Sequence, residues 1–179
     1  TMAVAAAAGV AYDTCSKVTT GGADNASRLG PLGFQLLVPT ANEGDQIWTY
    51  VKTAGAVASG QICQVIDGAA QYEVGVVPSN VLTTKARCVG VAQHAIGDNG
   101  FGFILTKGLG TILSGSGGAI GANVAVVAGA PGAAAPAGGR GITLAPSTTT
   151  ASCIIAWSSV VASGANAPAG SCWIDCGGT

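Results

Sequence analysis

The sequence predicts an all-β fold: a single compact β-barrel or sandwich of short antiparallel strands with an extended N-terminal arm. Three observations lead there. From Gly33 onward, short runs rich in Val, Ile, Phe, Trp and Tyr are separated by clusters of Gly, Asp, Asn and Pro; many short strands at close spacing mean a sandwich or barrel. No segment carries an amphipathic period of 3.6, and the Ala-rich N-terminus lacks the polar face that a helix in water needs. Residues 1 to about 32 show neither period, and "TTGGADNASRLGPLG" is crowded with turn formers. At 179 residues the chain is about one domain long and can bury roughly 70% of the surface that its unfolded form exposes. We divide it into an extended arm with the first edge strand, residues 1–45, and a barrel or sandwich body, residues 46–179.

In chain order the strand-like segments are "FQLLV", "QIWTYV", "QICQVI", "YEVGVV", "ARCVGVAQHA", "FGFILT", "GTIL", "NVAVVA", "ITLA", "SCIIAWSSVV" and "CWID". The sharpest hairpin lies within "CVGVAQHAIGDNGFGFILTKG", where Asp98, Asn99 and Gly100 tolerate the positive φ of tight turns. Val89 and Val91 alternate with Gly90 and Ala92, and Phe101, Phe103 and Leu105 share one face of the returning strand. The uncharged run between Lys107 and Arg140 is long enough for a bilayer, which takes about 20 residues. Its large aliphatics are only Leu109, Ile112, Leu113, Ile120, Val124, Val126 and Val127, so insertion would gain little. Within it, "NVAVVA" reads as a strand with Val124 and Val126 toward the core, and "GAAAPAGGR" as a mobile loop or a strip against another backbone. "TAGAVASGQICQVIDGAAQ" and "GSGGAIGANVAVVAGAPGA" echo one another, each passing from a small-residue loop into a β-branched strand, and "VASG" recurs at 57–60 and 161–164.

Charged residues make up only 8% of the chain and the net charge is −1, where soluble domains carry about 25% charged residues. So few cations leave little to attract phosphates or anionic lipid, which disfavours nucleic acid and membrane partners. A surface of Ala, Gly, Ser and Thr suits close contact with other protein surfaces. The opening "TMAVAAAAGVAY" has no basic residue before Lys17 and is not read as a signal peptide. Six cysteines occur, Cys15, Cys63, Cys88, Cys153, Cys172 and Cys176; without a signal peptide the expectation is reduced thiols. Cys172 and Cys176 flank "WID", and four residues of strand separate their Cα atoms by ~13 Å, beyond the ~7 Å reach of a disulfide.

The catalytic inventory is thin. His94 is the single histidine, expected mid-strand, with Cys88 and Asp98 its nearest candidate partners in sequence; a strand histidine making one polar contact is the simpler reading. Cys172, Cys176 and Asp175 with His94 do not form a paired metal knuckle. Glu43 and Asp45 in "NEGD" read as a turn, not an acid pair, and "GLGTILSGSGG" lacks the Lys-Ser/Thr ending and following helix of a phosphate loop. No cofactor is expected. Trp48, Tyr50, Trp157 and Trp173 are the large aromatic anchors, read as core or interface packing. A hydrolase built on Cys88 or Cys172 has no nameable triad. A carbohydrate- or receptor-binding β module of a fibre or surface structure, offering Trp173, Trp157 or Tyr72 to sugar faces, is the main alternative.

The pattern "IWTYVKTAGAVASGQICQV", then "ARCVGVAQHAIGDNGFGFILTKGLGTI", then "GGAIGANVAVVAGAPG" resembles small β-rich head proteins of tailed bacteriophages, especially marine and cyanobacterial ones. These lie on the capsid as decoration or cement proteins. The resemblance covers roughly residues 45–130. It implies a non-enzymatic virion protein on the outer surface of an icosahedral capsid, made in the host cytoplasm. It implies two partners, the major capsid protein and further copies of the chain, with a trimer favoured. Its arm, ordered on docking, would tie neighbours together. The expected capsid or subunit contacts are Tyr12, Arg28, Leu29, Phe34, Trp48 and Tyr50. Six cysteines are more than the resemblance implies.

Overall fold

The computed structural model describes residues 31–40, 44–66, 72–76, 88–114, 120–128, 141–143, 154–158 and 168–176. Among the described residues there is no helix, and so none to cross a membrane. The strands are β1 (Gln35–Thr40), β2 (Gly44–Thr53), β3 (Ile62–Val65), β4 (Glu73–Val76), β5 (Cys88–Ala92), β6 (Phe101–Leu113), β7 (Val124–Ala128), β8 (Gly141–Thr143), β9 (Ile154–Ser158) and β10 (Pro168–Asp175). The fold is all-β, and every predicted strand segment contributes to it. "FGFILT" and "GTIL" fuse into the 13-residue β6. The intervening Gly108 does not end the strand: at φ +118 it forms an irregularity, and a Cβ there would lie 2.9 Å from Gln46 Cγ.

All ten strands join one sheet in the order β1-β2-β4-β3-β5-β6-β10-β9-β7-β8, with β2 also pairing β6. That extra pairing closes β2, β4, β3, β5 and β6 into a ring of five strands, a small barrel. The strands were expected to be antiparallel throughout, but β2 and β4 run parallel, with Lys52 opposite Glu73 and Thr53 opposite Val74. Parity requires it: strand direction cannot alternate all the way around a ring of five, so one neighbouring pair must be parallel.

Strand alternation then builds two cores on the two sides of the barrel wall. Inside the ring each strand supplies one buried apolar residue, Val51, Val74, Cys63, Ala92 and Ile104, and the loops add Val57 and Ile96. On the outside, Trp48, Tyr50, Ile62, Val91, Phe101, Phe103 and Leu105 cluster with Leu36, Val38, Ile112, Ile120, Val126, Ala156, Cys172 and Ile174. The second cluster therefore lies between the barrel wall and the layer that β6 continues through β10, β9 and β7. Each large aliphatic or aromatic side chain buried this way contributes about 1.5–3 kcal/mol. The predicted alternation in "FGFIL" is present, with Phe101, Phe103 and Leu105 outside the ring and Ile104 within it.

Three strands begin with the same device. Val57, Ile96 and Ile120 are 2%, 1% and 1% exposed, and three residues after each stands a left-handed residue: Gly60 (φ 81), Asn99 (φ 52) and Asn123 (φ 57). The strands β3, β6 and β7 then start at Ile62, Phe101 and Val124. The echo between residues 53–71 and 115–133 thus has a structural basis in the described part, and the β5–β6 connection is a third instance. Two of the anchors bridge each other, Val57 N–H to Ile96 O and Ile96 N–H to Val57 O, both at 2.8 Å. The "VASG" at 161–164 lies outside the described residues.

Other expectations shift locally. β5 ends at Ala92, so His94 sits in a bend, not mid-strand. In β7 a register irregularity between Val126 and Val127 turns both inward, at 0% and 2% exposure, while Val124 is half-buried. β1 forms one edge of the sheet, Leu36 and Val38 belong to the core, and β2 runs through residues 45 and 46. Residues 1–30, most of the proposed arm, and "GAAAPAGGR" lie outside the described residues.

Candidate functional site

The side chains singled out from the sequence separate into buried and outward-facing sets. Trp48 and Tyr50, named as contact residues, are 5% and 1% exposed. Tyr50 stacks on Phe101 (6.2 Å) and tilts against Phe103 (5.0 Å). The Trp48 indole N–H donates to Gln46 Oε1 at 3.2 Å, and Gln46 Nε2 donates to Leu109 O at 2.8 Å. Both aromatic residues therefore supply packing. Phe34, 39% exposed, keeps one edge on Phe103, 6.5 Å between centroids. Tyr12, Arg28 and Leu29 lie outside the described residues, as do Glu43, Cys15 and Cys153.

Beside Phe34, Leu37 is 54% exposed at the centre of β1. Residues 31–40, "PLGFQLLVPT", carry no charge, so the edge presents Phe34, Leu37 and Pro39 outward without a charged side chain among them. Leu37 was not singled out from the sequence, although the inward parity of Leu36 and Val38 required it to point out.

The other large exposed apolar side chains among the described residues are Trp157, at 54%, and Trp173, at 41%. They are Cα partners across the β9–β10 pair. The same register line runs on to Leu109 in β6 and Ala125 in β7, so four neighbouring strands present Leu109, Trp173, Trp157 and Ala125 in one row. The next position along the β6–β10 pair on this face holds Lys107 opposite Asp175, both exposed. The β1–β2 turn approaches from the side: a Cβ on Gly44 (φ +73) would lie 3.3 Å from Trp173 Cη2, and the adjacent Asp45 is exposed. Tyr72, the third proposed sugar platform, is half-buried with its ring against Gly33, too close to admit a Cβ there.

Four cysteines fall among the described residues, Cys63, Cys88, Cys172 and Cys176, and no disulfide joins any two of them. Burial pushes the Cys63 thiol up to about 12, against a lowering hydrogen bond from the Ala92 backbone and with a further rise from nearby Cys88. Burial likewise raises Cys172, against lowering hydrogen bonds from Ser158 and the Ile112 backbone. A thiol held protonated is a poor nucleophile and a poor metal ligand. Strand parity separates the imagined zinc set, because Cys172 faces the core and Asp175 faces out. Among the described residues no three His, Cys, Asp or Glu side chains are grouped closely enough to hold a metal ion.

No family model matches the chain, and no curated protein matches it. Among solved structures it is similar to the head fiber gp8.5 N base of bacteriophage phi29, with a TM-score of 0.48 and 12% sequence identity, over 72% of this chain and 93% of that chain.

Proposed function

We propose that this chain is a structural subunit of a tailed-phage particle, a non-enzymatic decoration protein that binds the outside of the icosahedral capsid and stabilises it. One observation carries the proposal: the uncharged β1 edge, with Leu37 54% and Phe34 39% exposed. Free proteins blunt such an edge with charge because it templates pairing with another chain. A chain with only 8% charged residues gains most from an edge like this when a protein partner covers it. The major capsid protein is that partner in this reading, and copies of the chain, as a trimer, are the second. The sequence resemblance to phage head proteins points the same way. An arm on the N-terminal side of β1 would add avidity without demanding a large contact from each subunit.

The test mixes the purified full chain with capsids that lack it and measures co-sedimentation and resistance to heat. Wild type is expected to bind and protect. Leu37→Lys, at an exposed position, is expected to keep its melting temperature and lose binding by about tenfold or more. Capsids that neither bind nor gain stability overturn the proposal, and undiminished binding by Leu37→Lys overturns the role of the edge.

A further inference from the structure

We infer that the row Leu109, Trp173, Trp157 and Ala125 on the outer sheet face is a binding strip for a neutral glycan built from hexopyranose units. The inference does not depend on the capsid proposal. It starts from placement. Two tryptophans on adjacent strands, directly opposite in register, keep 41% and 54% of their surface open. Elsewhere in the same sheet the indole of Trp48 is packed away at 5%. An indole left outward presents a flat π-face with a negative quadrupole, which attracts the partly positive C–H groups on the apolar side of a pyranose ring. Adjacent strands are about 4.8 Å apart, close to the length of one sugar unit. The two indoles therefore offer stacking surfaces to successive units of a chain running across the strands.

The surroundings supply what a sugar needs besides stacking. Lys107 and Asp175 are exposed partners two residues along from the Leu109–Trp173 line, and Asp45 is exposed beside Gly44 at the Trp173 ring. These give a hydroxyl-rich ligand one ammonium donor and two carboxylate acceptors at the border of an apolar strip. Two carboxylates against one ammonium disfavour a polyanionic glycan, which is why the ligand is neutral. Gly44 fits the same picture: any larger residue would crowd the outer carbon of the Trp173 ring, where a Cβ already falls 3.3 Å away.

The open surface of the two indoles is small. A fully buried tryptophan covers at most about 250 Å², so two that are roughly half open offer about 250 Å² together. A stable protein interface takes about 800 Å² from each partner. The strip is the size of two or three sugar rings.

The experiment titrates the full chain with cellohexaose, maltohexaose and chitohexaose, following tryptophan emission and heat of binding. At least one is expected to give saturable binding with a change in indole emission. Trp157→Ala and Trp173→Ala are each expected to weaken it about tenfold or more while the chain still unfolds in one cooperative transition, since neither side chain belongs to a core cluster. Trp157→Phe is expected to retain part of the affinity through its smaller ring. No saturable change with any of the three up to about 10 mM overturns the inference. So does binding that survives in the Trp157→Ala/Trp173→Ala double variant. Conversion of an oligomer to a monomer by the double variant also overturns it, and assigns the face to a second copy of the chain.

Discussion

Glycine at position 60 and asparagine at 99 and 123 occupy the same left-handed place in three related turns, but for different reasons. All three need φ above +50°, which asparagine tolerates. At Gly60 a side chain would also meet another strand: its N–H donates to Ala92 O at 2.6 Å, its carbonyl accepts from Leu113 N–H at 2.8 Å, and a Cβ would fall 2.8 Å from Leu113 N. Gly60→Asn and Gly60→Ala should therefore both cost about 2–4 kcal/mol, combining strain with forced separation of backbone. Asn99→Gly should stay within about 0.5 kcal/mol. Urea denaturation checks this, and a Gly60→Asn variant as stable as wild type would show that conformation alone chose the glycine. Cys63 gives a pH signature. Its folded pKa of about 12 lies above the ordinary 9.0, so the unfolded chain loses this proton first as pH rises. Stability from this thiol is intact below pH 9.0 and falls between 9.0 and about 12, by up to about 1.4 kcal/mol per pH unit. Urea midpoints should drop above pH 9.0, and less steeply in Cys63→Ala; equal slopes in the two proteins would contradict the buried, protonated thiol. Cys172 shifts in the same direction, so a residual slope is expected in that variant.

Between strands, the barrel holds a polar tie in its apolar interior. Thr49 Oγ1 of β2 and Thr106 Oγ1 of β6 are 2.7 Å apart, and Thr106 Oγ1 also donates to Val89 O in β5 at 3.2 Å. Thr106 thus joins three strands of the ring. Replacing it with Val strands the Thr49 hydroxyl and the Val89 carbonyl, at a cost of about 1–3 kcal/mol. The double variant Thr49→Val/Thr106→Val should be destabilised by less than the sum of the singles, because it leaves one fewer buried group without its partner. Additive losses in a double-mutant cycle would refute the coupling. Such ties mark the limit of what the sequence shows. The strand segments were legible because a half-buried strand alternates with period two, and the β5–β6 turn because Asp98, Asn99 and Gly100 favour positive φ. β6 read as two strands because Gly108 and Gly110 are breakers by local propensity, and only pairing with β10, distant in sequence, carries the strand through them. The parallel β2–β4 contact has no local signal; it follows from closing a ring of five. At the candidate strip, the outward face of "CWID" was readable by parity. That Trp157 stands opposite Trp173, with Gly44 alongside, depends on pairings distant in sequence.

At the scale of the whole molecule, the barrel and the outer layer share material in a way that fixes how they come apart. The N-terminal half of β6 lines the ring against β2, and its C-terminal half pairs with β10 and carries Ile112 into the outer cluster. The barrel wall supplies Trp48, Tyr50, Phe101, Phe103 and Leu105 to that same outer cluster. Peeling the outer layer away would leave a barrel wrapped in exposed aromatic surface, at about 1.5–3 kcal/mol for each large side chain uncovered. A half-folded state of that kind should not accumulate. The chain should unfold in one transition, with far-UV circular dichroism and tryptophan fluorescence superimposed, because Trp48 reports the wall while Trp157 and Trp173 report the layer. Ile104→Ala, inside the ring, and Ile174→Ala, in the layer, should each cost about 2–5 kcal/mol and move both signals together. Two resolved transitions in either variant would mean that the closed ring is stable without its cover. The outer cluster would then be a docking of two independent units and not a second core.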